Sequence, residues 1–114
     1  MTQFLFTYRS VPGYNWFGDP TGLPDWEAFL ETIEPNVVDP GWPSFEPTTR
    51  IGVTGPSTQV GGYSVVTADS QEEALAMAQG APTVTRGGGV EVAVLAKLPP
   101  DHPAERIRGQ LAKA

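Results

Sequence analysis

The sequence predicts an α+β fold of the ferredoxin-like type, βαββαβ, with two helices on one face of a four-stranded antiparallel sheet. Stretches rich in β-branched and aromatic residues alternate with amphipathic helical stretches in that order. Gly and Pro clusters stand at the junctions between them. The length, 114 residues, suits one hydrophobic core and falls short of two domains.

Phe4-Leu5-Phe6-Thr7-Tyr8-Arg9 is the expected first strand, with Phe4, Phe6 and Tyr8 on one face and Leu5, Thr7 and Arg9 on the other. Apolar bulk on both faces marks a central strand. Ser10 to Leu23 carries Pro12, Gly13, Gly18, Pro20 and Gly22 and is expected as loop, although Tyr14, Trp16 and Phe17 lie inside it. Such rings either fold back onto the domain or serve a lid or an interface. Pro24 to Glu34 is the first helix, since Trp26, Phe29, Leu30 and Ile33 recur at helical spacing and Pro35 forbids continuation. Pro35 to Pro47 is an irregular connection around Trp42 and Phe45, too rich in Pro for a flexible linker.

Thr48 to Thr54 is the expected second strand, with Thr49, Ile51 and Val53 on one side, ending at the breaker Gly55-Pro56-Ser57. Gly61-Gly62 leads into the third strand, Tyr63 to Thr67. Asp69 or Ser70 caps the second helix, with Glu72 or Glu73 three residues on; Leu75 and Ala78 supply its apolar face, and Gly80 and Pro82 stop it. Arg86-Gly87-Gly88-Gly89 is a flexible connection rather than a phosphate loop, because no helix follows and the lysine is missing. Val90 to Ala96 alternates most clearly, and its Val90, Val92 and Val94 side should be buried. Pro99-Pro100 ends the domain, expected at 1–99. A tail at 100–114 follows, compatible with a helix through Ile107 and Leu111.

Val53 to Pro82, VTGPSTQVGGYSVVTADSQEEALAMAQGAP, resembles the core of YCII-related domains, in the branch with a DGPF-like turn followed by GGY and an Asp-led, Ala-rich helix. The resemblance implies that the sheet face left open by the helices, which Leu5, Val66, Ala93 and Leu95 would line, is closed by a second subunit to give a dimeric α+β barrel. It implies no chemistry here. The His and Asp pair of the family's candidate active site has no counterpart, as no His occurs between Asp25 and Glu34, and Thr54 and Ser57 replace the Asp and Phe of the turn.

A net charge of -6 argues against a nucleic-acid partner, which needs clustered Lys and Arg. No apolar run nears the roughly 18 residues required to span a bilayer, and Met1-Thr2-Gln3 leads straight into a strand, so the expected location is cytoplasmic and away from membranes. The absence of Cys removes disulfides, thiolate nucleophiles and Cys-based zinc sites. A single His, His102 beside Pro103, makes no metal site alone. Neither a metal nor a cofactor is expected.

Tyr8, Arg9, Arg50 and Tyr63 are the candidate pocket residues from the strands, because a charge in a strand must reach an edge, a carboxylate or a cavity. Trp42 joins them from the second aromatic segment. Asp25, Glu27, Glu31 and Glu34 are expected on the solvated face of the first helix. The expected function is a homodimeric small-ligand domain whose aromatic loops favour a hydrophobic or aromatic molecule. Two alternatives stand beside it: a cofactor-independent isomerase, cyclase or oxygenase, and an interaction module anchored by Tyr14, Trp16, Phe17 and Trp42.

Overall fold

Alternation along the first strand decides which side of the sheet becomes the core. In the computed structural model, which describes residues 1–55 and 57–112, β1 (Thr2–Ser10) buries Phe4, Phe6, Tyr8 and Ser10 and leaves Leu5, Thr7 and Arg9 half-buried on the other face. β1 is central. It pairs antiparallel with β3 (Gln59–Ala68) on one side and with β4 (Gly89–Val94) on the other, and the short β2 (Val37–Asp39) flanks β3. The resulting order, β2-β3-β1-β4, places β3 between β1 and β2, the split βαβ arrangement expected of a ferredoxin-like fold.

α1 (Gly22–Ile33) buries Trp26, Phe29 and Ile33 against the sheet, with Leu30 packed beside them. α2 (Gln71–Ala78) starts at Ser70, whose hydroxyl accepts from Glu73 N–H at 3.1 Å, while Glu73 reaches back to Asp69 N–H at 3.1 Å. Phe4 and Phe6 are almost wholly buried among these elements, each worth roughly 1.5–3 kcal/mol in hydrophobic burial. The final helix, α3 (Pro103–Ala112), buries nothing; His102 Nδ1 accepts from Ala104 N–H at 3.0 Å, so the lone histidine serves as its cap.

Four local expectations are corrected. The second strand is Val37–Asp39, and residues 48–54 form no strand: Ile51 and Val53 are fully exposed and Gly52 turns the chain with φ at +71°. Alternation alone could not decide this, because a strand needs a neighbour, and β3 is taken by Val37 and Asp39, opposite Val66 and Val65. Asn36 reinforces that choice by donating to Thr67 O at 2.9 Å. Between Pro35 and Pro40 only an edge strand of this length fits.

The apolar face of α2 is Ala74 and Ala78, not Leu75, which is exposed. Small side chains let the helix lie close to the sheet. On the open face Val65 stands where Val66 was expected, since Val66 is opposite Phe4 and fully buried under the helices. Val90 and Val92 pack against the core, but Val94, at the end of β4, is exposed. Pro56, the centre of the expected turn, and residues 113–114 of the tail lie outside the described residues.

Candidate functional site

The site begins with a serine on an apolar strand face. Period-2 alternation turns Ser64 inward with Val66 and sets it opposite Phe6, where a hydroxyl must find partners within the protein. It finds two. Ser64 donates to Pro40 O at 2.8 Å, and because that carbonyl can only accept, the Tyr8 hydroxyl donates to Ser64 Oγ at 2.9 Å. Burial pushes the Tyr8 phenol up to about 12, outweighing the opposing effect of the Ser64 bond. At neutral pH it is therefore a neutral hydrogen-bonding group.

Aromatic rings enclose this polar chain. Tyr8 meets Trp26 edge-on at 4.7 Å, and Trp16 stacks on Trp26 at 5.6 Å with 29° between the planes. Phe45 meets both Trp16 and Phe17 edge-on, so the two loop segments touch through their rings. A cavity of about 100 Å³ results, lined by Tyr8, Trp16, Trp26, Leu30, Trp42 and Ser64 with the Pro40–Pro43 backbone closing one side. Tyr63 borders the same cavity. Its two ionisable side chains are thus tyrosines, with no carboxylate or imidazole in the lining.

Two glycines make the enclosure possible. Gly41, with φ at +72°, lies so close to β3 that a Cβ would collide with the Tyr63 carbonyl, and Gly62, at φ +142°, faces the Trp42 carbonyl at 2.8 Å from where a Cβ would sit. Pro43 and Gly62 form an isolated bridge, and Gly41 N–H is tied to Asp39 Oδ1 at 2.8 Å. The Pro-rich segment is pressed onto the strand by these contacts.

Of the residues singled out from sequence, Tyr8, Trp42 and Tyr63 meet at this cavity; Arg9 and Arg50 do not. The arginines converge instead on Thr58, where Arg9 Nη2 and Arg50 Nη2 donate to its carbonyl at 2.6 and 3.0 Å. Trp42 is 77 % exposed, which makes it a wall of the cavity and not part of the core. Sequence reasoning passed over Ser64, Trp26 as a cavity wall, and the Gly41 and Gly62 contacts. An inward Ser on an apolar face was the signal available. Trp26 Nε1 is also buried without an acceptor, as is Gln59 Nε2 without one, each a cost unless another molecule accepts.

A second polar cluster anchors the first aromatic loop. Arg86 Nε donates to Asp19 Oδ2 at 2.7 Å and its Nη2 to Asp25 Oδ2 at 2.6 Å and Thr21 Oγ1 at 2.8 Å, while Tyr14 donates to Asp19 Oδ2 at 2.8 Å. Arg86 and Tyr14 together hold the Asp19 carboxyl well below the usual carboxylate range. Asp25, expected in solvent, is one arm of this clamp. A wide groove of about 720 Å³ beside it, between α1 and α2, includes Asp25 and Arg86, but their charges are spent on each other.

Among the described residues no group of three or more His, Cys, Asp or Glu side chains could hold a metal ion, and no helix is long and apolar enough to cross a membrane. No family model and no curated protein matches the chain. Among solved structures it is similar to 5-chloro-2-hydroxyhydroquinone dehydrochlorinase from Burkholderia phenoliruptrix AC1100, in complex with 2,5-dihydroxybenzoquinone. The two share 18 % identity at a TM-score of 0.51, over 84 % of this chain and 93 % of that one. The likeness shows a common α+β fold.

Proposed function

We propose that this chain is a YCII-related domain of the branch with a DGPF-like turn, a cytoplasmic homodimer that binds a small aromatic molecule in the cavity over Tyr8. The observation that carries the reading is the cavity itself, walled by aromatic rings around one polar chain, Tyr8 to Ser64 to Pro40. Apolar walls with a few placed polar groups are what small-molecule sites generally offer. A volume of about 100 Å³ is close to that of a single ring. The open sheet face, with Leu5, Val65 and Ala93 between the core strands, is the surface a second copy would cover.

An enzymatic reading has one observation in its favour: the protein of shared fold is a dehydrochlorinase whose structure holds a hydroxylated quinone. Against acid-base catalysis stands the lining, whose ionisable groups are two tyrosines, one of them held neutral to about pH 12. Binding is the reading that needs no further group. Titration of tryptophan fluorescence with phenol and catechol tests it: saturable quenching that is lost in Trp42→Ala supports the cavity, whereas quenching unchanged by that substitution places binding elsewhere. Light scattering tests the dimer, and a monomer at micromolar concentration would remove the barrel.

A further inference from the structure

We infer, on the reading that the aromatic cavity is a binding site, that the Trp26 indole N–H selects its ligand, a neutral ring carrying an acceptor oxygen such as a carbonyl. The other buried polar side chains around the cavity have already placed their hydrogens: Tyr8 donates to Ser64, and Ser64 donates to Pro40 O. Trp26, 5 % exposed and part of the same lining, keeps its Nε1–H without an acceptor in the protein. Among the described residues the other such buried atom is Gln59 Nε2, and Gln59 does not line the cavity.

Neighbouring rings hold the indole in place. Trp16 stacks on it at 5.6 Å, and Tyr8 and Phe29 meet it edge-on at 4.7 and 5.8 Å. Trp26 also borders a gap among Ser10, Tyr14, Thr83 and Arg86, but that gap is too narrow for even a water molecule, so the cavity of about 100 Å³ is where an acceptor can reach the side chain. Folding has already removed this N–H from water, so a ligand oxygen that accepts from it gains a hydrogen bond with no donor left to dehydrate. A ring without an oxygen leaves the donor unsatisfied. Among the described residues of the lining none carries a carboxylate, guanidinium, ammonium or imidazole, and a charged ligand would lose its hydration there without a counter-charge.

Separate titrations with toluene, benzaldehyde and benzoate, followed by NMR of the indole N–H signals, test this, with Trp16→Phe and Trp42→Phe assigning the Trp26 signal. In the wild type the Trp26 indole proton should move downfield with benzaldehyde and not with toluene, and benzoate should not saturate the site. The affinity for benzaldehyde relative to toluene should fall roughly tenfold in Trp26→Phe, which keeps a ring and removes the N–H. An unchanged ratio in a folded Trp26→Phe overturns the assignment, and benzoate binding as tightly as benzaldehyde overturns the neutral class. Should that variant fail to fold, the wild-type signal decides, because equal displacement by toluene and benzaldehyde contradicts a hydrogen bond from Trp26. Toluene and benzaldehyde both bound with no such difference remove the Trp26 donor and leave the cavity standing, whereas no binding of either ring removes both.

Discussion

Tyr8 donates its phenolic hydrogen to Ser64 across 2.9 Å, joining two neighbouring strands beneath a wall of aromatic rings. Ser64→Ala breaks this pair at its centre, leaving the Tyr8 hydroxyl and the Pro40 carbonyl without their partner. The expected cost is about 1–3 kcal/mol, the penalty of a buried polar group left unsatisfied. Urea unfolding measures it. Tyr8→Phe should cost less than Ser64→Ala, since Ser64 keeps its bond to Pro40.

Trp42 separates wall from core. As a side chain 77 % exposed, it should be replaceable by Ala with a stability change within about 0.5 kcal/mol, where a buried Trp would cost about 3–5 kcal/mol. Thermal melting of Trp42→Ala makes the comparison.

Gly41 is the position least able to change. Its φ of +72° disfavours any side chain, and a Cβ there would strike the Tyr63 backbone, which cannot move without shifting β3. Gly41→Ala should destabilise by more than about 2 kcal/mol and open the cavity, seen as a lower urea midpoint together with altered tryptophan emission. Gly13→Ala is the control for φ alone, as nothing lies within 4 Å of its Cβ position.

The fold and the site differ in how much of each the sequence disclosed. Element order, the inward Phe4, Phe6 and Tyr8, and a helix cap at Asp69 or Ser70 follow from local chemistry acting within a few residues and are legible in the sequence; the structure makes Ser70 the cap. Where the sequence misleads, at Val37–Asp39 against residues 48–54, two segments compete for one edge of β3, and the outcome depends on Asn36 reaching Thr67 across the sheet. The cavity is a product of the same long-range contacts. Tyr8, Trp42 and Tyr63 could be named as candidates, but their meeting depends on Gly41 and Gly62 admitting the Pro-rich segment, which no pattern announces.

High pH should unfold the protein through Tyr8. Its phenol is raised from 10.0 to about 12 by burial, so the neutral form is favoured in the folded state. The associated stability is complete below about pH 10, the unfolded phenol's range, and is lost as pH rises through about 12. Urea midpoints should fall across that window in the wild type and fall less in Tyr8→Phe.

Asp19 gives the opposite dependence. Its carboxyl is held low by Arg86 and Tyr14, so its contribution is present above the ordinary carboxylate range and fades as pH drops beneath it. The gap in melting temperature between wild type and Asp19→Asn should therefore be widest near neutrality and close on acidification.

Binding at the cavity is tested most directly by NMR of the three tryptophan indole N–H signals during a catechol titration. Binding there produces saturable shifts at Trp16, Trp26 and Trp42 together, with affinity reduced in both Tyr8→Phe and Ser64→Ala. Three indole signals that stay in place at saturating catechol, or shifts equal in wild type and both variants, would contradict it.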